Sequence, residues 1–81
     1  MRRTTIMACN VPVEITSFND GTILLERWEN SGYYFVCTGE KDGTFYLQEN
    51  CQNGDIRDIA KYTNVVDAIQ GIAWASHQDD F

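Results

Sequence analysis

Apolar and polar positions alternate along the first half of the chain. Within residues 4–18, Val11, Val13 and Ile15 alternate with Pro12, Glu14 and Thr16, the period of two that marks a strand with one buried face. Pro12 has no N–H to give to a ladder, which predicts an edge or bulged strand. Asn19-Asp20-Gly21 is a strong hairpin-turn signal. A second strand follows over residues 22–28, with Ile23 and Leu25 on one face and Leu24, Glu26 and Trp28 on the other. Residues 29–32 make a turn into a third strand over 33–38, dense in aromatic and β-branched residues. Residues 39–43 lead to a fourth strand over 44–49. Connections this short predict an antiparallel meander, because parallel neighbours need a long crossover.

The period changes in the second half. Residues 50–55 break the strand pattern. Ile56, Ile59 and Ala60 are then spaced for a helical turn, with Asp55 as its cap and Asp58 in its first turn. The main helix is predicted over residues 63–78, capped by Thr63 or Asn64 and favoured by Asp67 near its start. Val65, Ile69, Ile72, Ala73 and Ser76 fall on one stripe, flanked by Val66 and Ala68. Gly71 inside this helix costs about 1 kcal/mol relative to Ala, which points to close packing or to the approach of a partner. The expected fold is a single α+β domain over residues 1–81. It has two layers: a roughly four-stranded antiparallel meander, with the C-terminal helix on one face and a short helical turn before it.

One residue does not fit the helical stripe. At about 100° per residue, Trp74 sits about 180° from Val65, on a side shared with Asp67, Gln70, Gly71 and Gln78. Three placements are open for it: against a loop or the sheet margin where the helix bends after Gly71, against a second copy in a homodimer, or as the anchor of an interface with another protein. Tryptophan is enriched among the residues that dominate binding energy, and Gly71 would let a partner come close.

Charge narrows the function classes. The chain carries twelve acids against six bases, for a net charge of −6. The excess lies mostly in residues 40–81, where Glu40, Asp42, Glu49, Asp55, Asp58, Asp67, Asp79 and Asp80 face Lys41, Arg57 and Lys61. Binding a phosphate backbone needs the opposite sign, so direct nucleic-acid contact is disfavoured, while a basic partner stays open. The same charge also keeps a small domain soluble. Tyr33, Tyr34, Phe35, Phe45 and Tyr46 could stack bases, but no basic cradle accompanies them, and core packing accounts for most of them. Cys9, Cys37 and Cys51 are odd in number and widely spaced, which argues for reduced thiols in a cytosolic protein. Asn10, Pro12 and Glu14 interrupt any apolar leader, and no run approaches a membrane span. With His77 the cysteines match a zinc set by type but lack a closely spaced ligand pair. No nucleophile–base arrangement, phosphate loop or paired histidine is present. The expectation is a non-enzymatic protein with no catalytic residue, metal or cofactor.

The acid-bearing stretches "GEKDG", "NGDIRD" and "SHQDDF" give the chain an organisation that resembles the small acidic inhibitors encoded by phages and mobile elements, of the anti-CRISPR type. The resemblance is one of size, charge and the absence of enzyme motifs. It implies a compact α/β fold whose carboxylates occupy a Lys/Arg-rich guide- or DNA-binding surface of a CRISPR-Cas or other nucleic-acid-processing complex in the host cytoplasm. On this reading the partner-binding residues are Trp74, Asp67, Gln70, Asp55, Asp58, Gln78, Asp79 and Asp80. A small structural or regulatory domain that homodimerises is the second reading.

Overall fold

The computed structural model of the chain describes residues 1–28, 34–50 and 55–75. Six strands, β1 (Arg2–Ala8), β2 (Val11–Ser17), β3 (Ile23–Trp28), β4 (Tyr34–Gly39), β5 (Phe45–Asn50) and β6 (Ile56–Tyr62), precede one helix, α1 (Val65–Trp74). Each strand pairs antiparallel with the next, so the order in the sheet is the order in the chain. The domain is α+β, with α1 on one face of the meander. A ten-residue helix is about 15 Å long, whereas six strands span about 24 Å. Yet α1 touches every strand, which requires the sheet to twist and curl around it.

Two of the strands were not expected, and each has a local cause. Residues 2–17 form a hairpin rather than one strand. Cys9 and Asn10 make its two-residue turn with φ of 52° and 64°, the left-handed geometry of a type I′ turn. Asparagine tolerates this region, but cysteine rarely does, so "CN" carries no conventional turn signal. Pro12 lies opposite Met7, one position from the Ala8–Val11 pair that closes the turn. By the alternation of antiparallel ladders its nitrogen points away from β1, and pairing to β3 begins only at Glu14. The proline therefore removes no ladder bond.

The second correction concerns residues 55–62, which form β6 and not a helical turn. β5 pairs with β6 through Leu47↔Ala60 and then Gln48↔Asp58, leaving Ile59 as an extra residue in a bulge. The bulge interrupts the two-residue alternation. Arg57, Ala60 and Tyr62 are the partly buried positions of this strand, and a one-residue slip in a strand mimics the spacing of a helix.

Two of the three expected hairpin turns fall among the described residues and are present; the turn expected over residues 29–32 lies outside them. Phe18–Thr22 and Glu40–Thr44 are closed by the same pair of backbone bonds, with Gly21 and Gly43 at φ of 90° and 91°. In both, the aspartate before the glycine accepts from the backbone N–H of the following threonine. The Thr22 hydroxyl donates to the same Asp20 oxygen at 2.6 Å; that bond first, and then the backbone bond, holds the Asp20 carboxyl below the usual aspartate range, and the Thr44 N–H does the same for Asp42.

The core lies between the curled sheet and α1. Val13, Leu25, Phe35, Cys37, Phe45 and Leu47 meet Ala68, Ile72 and Ala73, with Val65 and Ile69 at the margin. Alanines at 68 and 73 let the helix sit close to the sheet. Val66 is turned outward, and Ser76 lies outside the described residues. Asn64 caps α1 by accepting from the Asp67 N–H at 2.9 Å, and its side-chain amide donates to the Asp67 carboxylate. At the other end no basic residue sits in the last turn. Arg27 of β3 reaches up instead, and its Nη1 donates to the carbonyls of Ile72, Ala73 and Ala75 at 2.5–3.1 Å. Its guanidinium also lies 5.1 Å from the Phe35 ring centre. On the same side of the sheet, Arg57 pairs with Glu49, a carboxylate only 1% exposed.

Gly71 is explained within the chain. A Cβ there would overlap the hydroxyl and Cζ of Tyr62, so the intramolecular packing occupies the space expected for a partner. Gly71→Ala should therefore destabilise the fold by about 1–3 kcal/mol through overpacking, despite its helix-propensity gain. In a Tyr62→Ala background the same change should become stabilising, by about 1 kcal/mol. Urea titration of the four-member cycle measures both signs. Arg27→Met, which keeps the stem over Phe35 but removes the donors, should cost about 2–3 kcal/mol. It should also speed amide exchange in the last turn of α1 more than in β2–β5.

Candidate functional site

The exposed stripe of α1 is where sequence reasoning put the site. Asp67, Gln70 and Trp74 are all exposed, and Trp74 is 67% exposed. Trp74 closes the helix, and its indole Nε1 donates to the Sγ of Cys9 at 2.8 Å. The ring is thus tied to the β1–β2 turn, at the one described cysteine in a left-handed conformation. Asp67 is committed to the N-terminal cap. Asp55 is exposed at the start of β6. Asp58 lies on the other side of the sheet, where its Oδ1 accepts from Gln48 Nε2 at 2.9 Å. Gln78, Asp79 and Asp80 lie outside the described residues, as do Cys51 and His77. The expected set therefore does not form one surface: Asp67, Gln70 and Trp74 belong to the helix layer, and Asp58 belongs to the uncovered face of the sheet. Glu49, one of the acids in the excess of residues 40–81, is buried against Arg57.

The uncovered face is the surface that sequence reasoning missed. Its residues are the alternate positions of each strand, and the register aligns them in rows. Trp28↔Tyr34, Tyr34↔Asn50 and Asn50↔Ile56 are successive partners. Extending the β2–β3 register by two residue pairs beyond Glu14↔Glu26 sets Pro12 opposite Trp28 and brings Pro12, and through it Met7, into the same line. Trp28 and Tyr34 stack with ring centres 4.2 Å apart. Trp28 is 59% exposed, and Met7 and Ile56 are more exposed still. The signal was present in the sequence, since Trp28 shares its strand parity with Leu24 and Glu26 and not with Ile23 and Leu25. A second, partly covered apolar face on a sheet with only one helix is a feature to explain.

Beside this row runs one of carboxylates and neutral residues: Thr5↔Glu14, Glu14↔Glu26, Glu26↔Val36, Val36↔Gln48 and Gln48↔Asp58. Arg3 Nε lies 2.8 Å from Glu14. Among the described residues Glu26 has no ion pair. Thr5, Pro12, Glu14, Glu26 and Trp28 line an open depression of about 120 Å³. A larger hollow of about 370 Å³ lies at the bulge, among Tyr46, Gln48, Asp58, Ile59 and Lys61. There the polar groups satisfy one another: Gln48 bonds Asp58, and Lys61 Nζ lies 5.9 Å from the Tyr46 ring centre.

Thiol chemistry is separated in space. Cys9 is exposed in its turn, whereas Cys37 is buried in the core. Burial pushes the Cys37 thiol up to about 12, from 9.0, so it stays neutral and is a poor nucleophile. Among the described residues no three His, Cys, Asp or Glu side chains are grouped to hold a metal ion, and no helix is long and apolar enough to cross a membrane.

Because the Cys37 pKa is raised in the fold, its contribution to stability is complete below about pH 9 and is lost as pH rises toward 12. The slope is up to about 1.4 kcal/mol per pH unit. Burial also raises the Tyr62 hydroxyl, which acts in the same direction. Cys37→Ala should flatten the alkaline limb of a stability–pH curve. In a Cys51→Ser protein, a thiol-labelling reagent at neutral pH should titrate one group, Cys9, in the folded state and two after denaturation. No protein-family model matches the chain, and neither does any curated protein or solved structure.

Proposed function

We propose that this chain is a non-enzymatic binding protein that docks a basic protein surface through the uncovered face of its sheet. In the form implied by its anti-CRISPR-type organisation, it occludes a nucleic-acid-binding surface of a CRISPR-Cas or related complex. The observation that carries the reading is the pairing of two adjacent rows on one face. One is apolar and aromatic, centred on the Trp28–Tyr34 stack; the other carries Glu14, Glu26 and Asp58. An apolar centre beside charge of one sign is the pattern of a specific interface, and the sign selects a basic partner. The net charge of −6 adds long-range attraction and salt dependence. The helix stripe supports the reading less well, because the Trp74 N–H is bonded to Cys9 and Asp67 is used in the cap.

The test is electrophoretic mobility shift of target DNA bound to a panel of purified CRISPR effector complexes, with this protein added in excess. At least one effector should release its DNA, less so as salt is raised. Met7→Asp and Ile56→Asp, both on the uncovered face, should weaken inhibition about tenfold or more, while Val66→Asp on the helix layer should not. Loss of inhibition in Trp74→Ala with retention in Met7→Asp and Ile56→Asp would move the interface to the helix. Retention of DNA by every effector would overturn the inhibitor reading.

A further inference from the structure

We infer that the depression lined by Thr5, Pro12, Glu14, Glu26 and Trp28 is a recognition slot for an arginine side chain of the partner. The inference rests on the reading of this face as the one turned to a partner. Its starting point is a local conflict. Glu14 and Glu26 are direct cross-strand partners, and like charges placed opposite each other destabilise a sheet. Arg3 offsets one of them at 2.8 Å, and among the described residues no cation offsets Glu26. A cross-strand pairing that costs the isolated fold and is offset on one side only breaks a local rule, as functional sites do.

The walls specify what would relieve the conflict. Tyr34 covers the Trp28 indole from the β4 side, and the depression lies on the β2 side, between Trp28 and Pro12. A cation entering there meets an aromatic wall together with the carboxylates of Glu14 and Glu26. The depression is small, about 120 Å³. A planar guanidinium can lie along the indole and present parallel N–H groups to a carboxylate, and it sheds water more readily than an ammonium. Thr5 adds a hydroxyl at the rim. The hollow at the bulge is larger, but its charges are of both signs and already engaged, so it selects no ligand charge.

The experiment is a two-dimensional NMR titration of the intact, labelled protein with three acetylated, amidated tripeptides: Gly-Arg-Gly, Gly-Lys-Gly and the uncharged arginine isostere Gly-citrulline-Gly. The arginine peptide should shift the Trp28 indole N–H and the amides of Thr5 and Glu26 at millimolar concentration. The lysine peptide should bind several-fold more weakly, and the citrulline peptide should leave these signals unmoved. Glu26→Gln, a conservative surface change, should weaken the arginine peptide about tenfold, and Trp28→Ala should abolish the response. Equal shifts with citrulline, unchanged affinity in Glu26→Gln, or shifts caused by dilution of the protein alone, which would mean that a second copy fills the face, each overturn the slot. Preferential response of the same signals to a single-stranded oligonucleotide also overturns it. The two readings fail separately. Effector inhibition as strong with Glu26→Gln as with the unaltered chain removes the slot and keeps the face. Arginine binding without inhibition of any effector keeps the slot and removes the inhibitor.

Discussion

The bonds from Arg27 to the end of α1 are the constraint on which this fold depends. One ten-residue helix is the sole cover for the sheet among the described residues, and helices this short are marginal without tertiary support. Its N-terminus is capped within the chain by Asn64. Its C-terminus has no local basic residue, and the chain leaves it in an extended conformation at Ala75. The last carbonyls therefore need a donor from elsewhere, and a cation there also complements the helix dipole. Arg27 supplies both from the middle of the sheet. It fixes where the helix ends, which in turn places Tyr62 against Gly71 and Trp74 above the Cys9 turn.

That internal use of arginine shapes the outer surface. Of the six bases, Arg27 is spent on α1, Arg57 on buried Glu49, Arg3 on Glu14, and Lys61 lies over Tyr46. Little positive charge is left to balance the remaining acids. The negative field is thus a consequence of how the bases are used as well as of composition, and it is strongest in effect where a carboxylate such as Glu26 adjoins apolar surface of low polarisability. A charge in that setting is less screened than one in open water.

Much of the architecture was legible because local signals agreed with the global fold. The two Asp-Gly-Thr turns, the alternation in β3 to β5, the Asn64 cap and the core face of α1 follow directly from residue order. The misreadings fall where a local rule is broken. The β1–β2 turn uses Cys9 in a conformation that cysteine seldom takes, and β6 hides its period behind the bulge at Ile59. The same reasoning explains the site. Trp74 is conspicuous because a helical wheel isolates it, whereas Trp28 alternates in step with Leu24 and Glu26 along its strand and breaks no local pattern. Register, which no single strand reveals, is what brings Trp28, Tyr34 and Ile56 into one line and sets Glu14 against Glu26. Burial of Glu49 was equally illegible, since it depends on Arg57 lying on the neighbouring strand.

The uncovered face poses a choice between stability and recognition. A sheet with one helix can lower its exposed apolar area by placing polar residues on the second face, and Thr5, Thr38 and Lys61 do so at its margins. At the Met7–Ile56 row the chain does the reverse and concentrates Met, Pro, Trp, Tyr and Ile in a line. Exposed apolar surface of this kind carries an association hazard, and the adjoining carboxylates set its selectivity. They repel a second copy of an acidic chain and nucleic acid alike, while leaving a cationic surface attractive. On the proposed reading, negative charge beside the aromatic row acts as a filter: it disfavours self-association of the exposed apolar row and directs that row toward a partner of opposite sign.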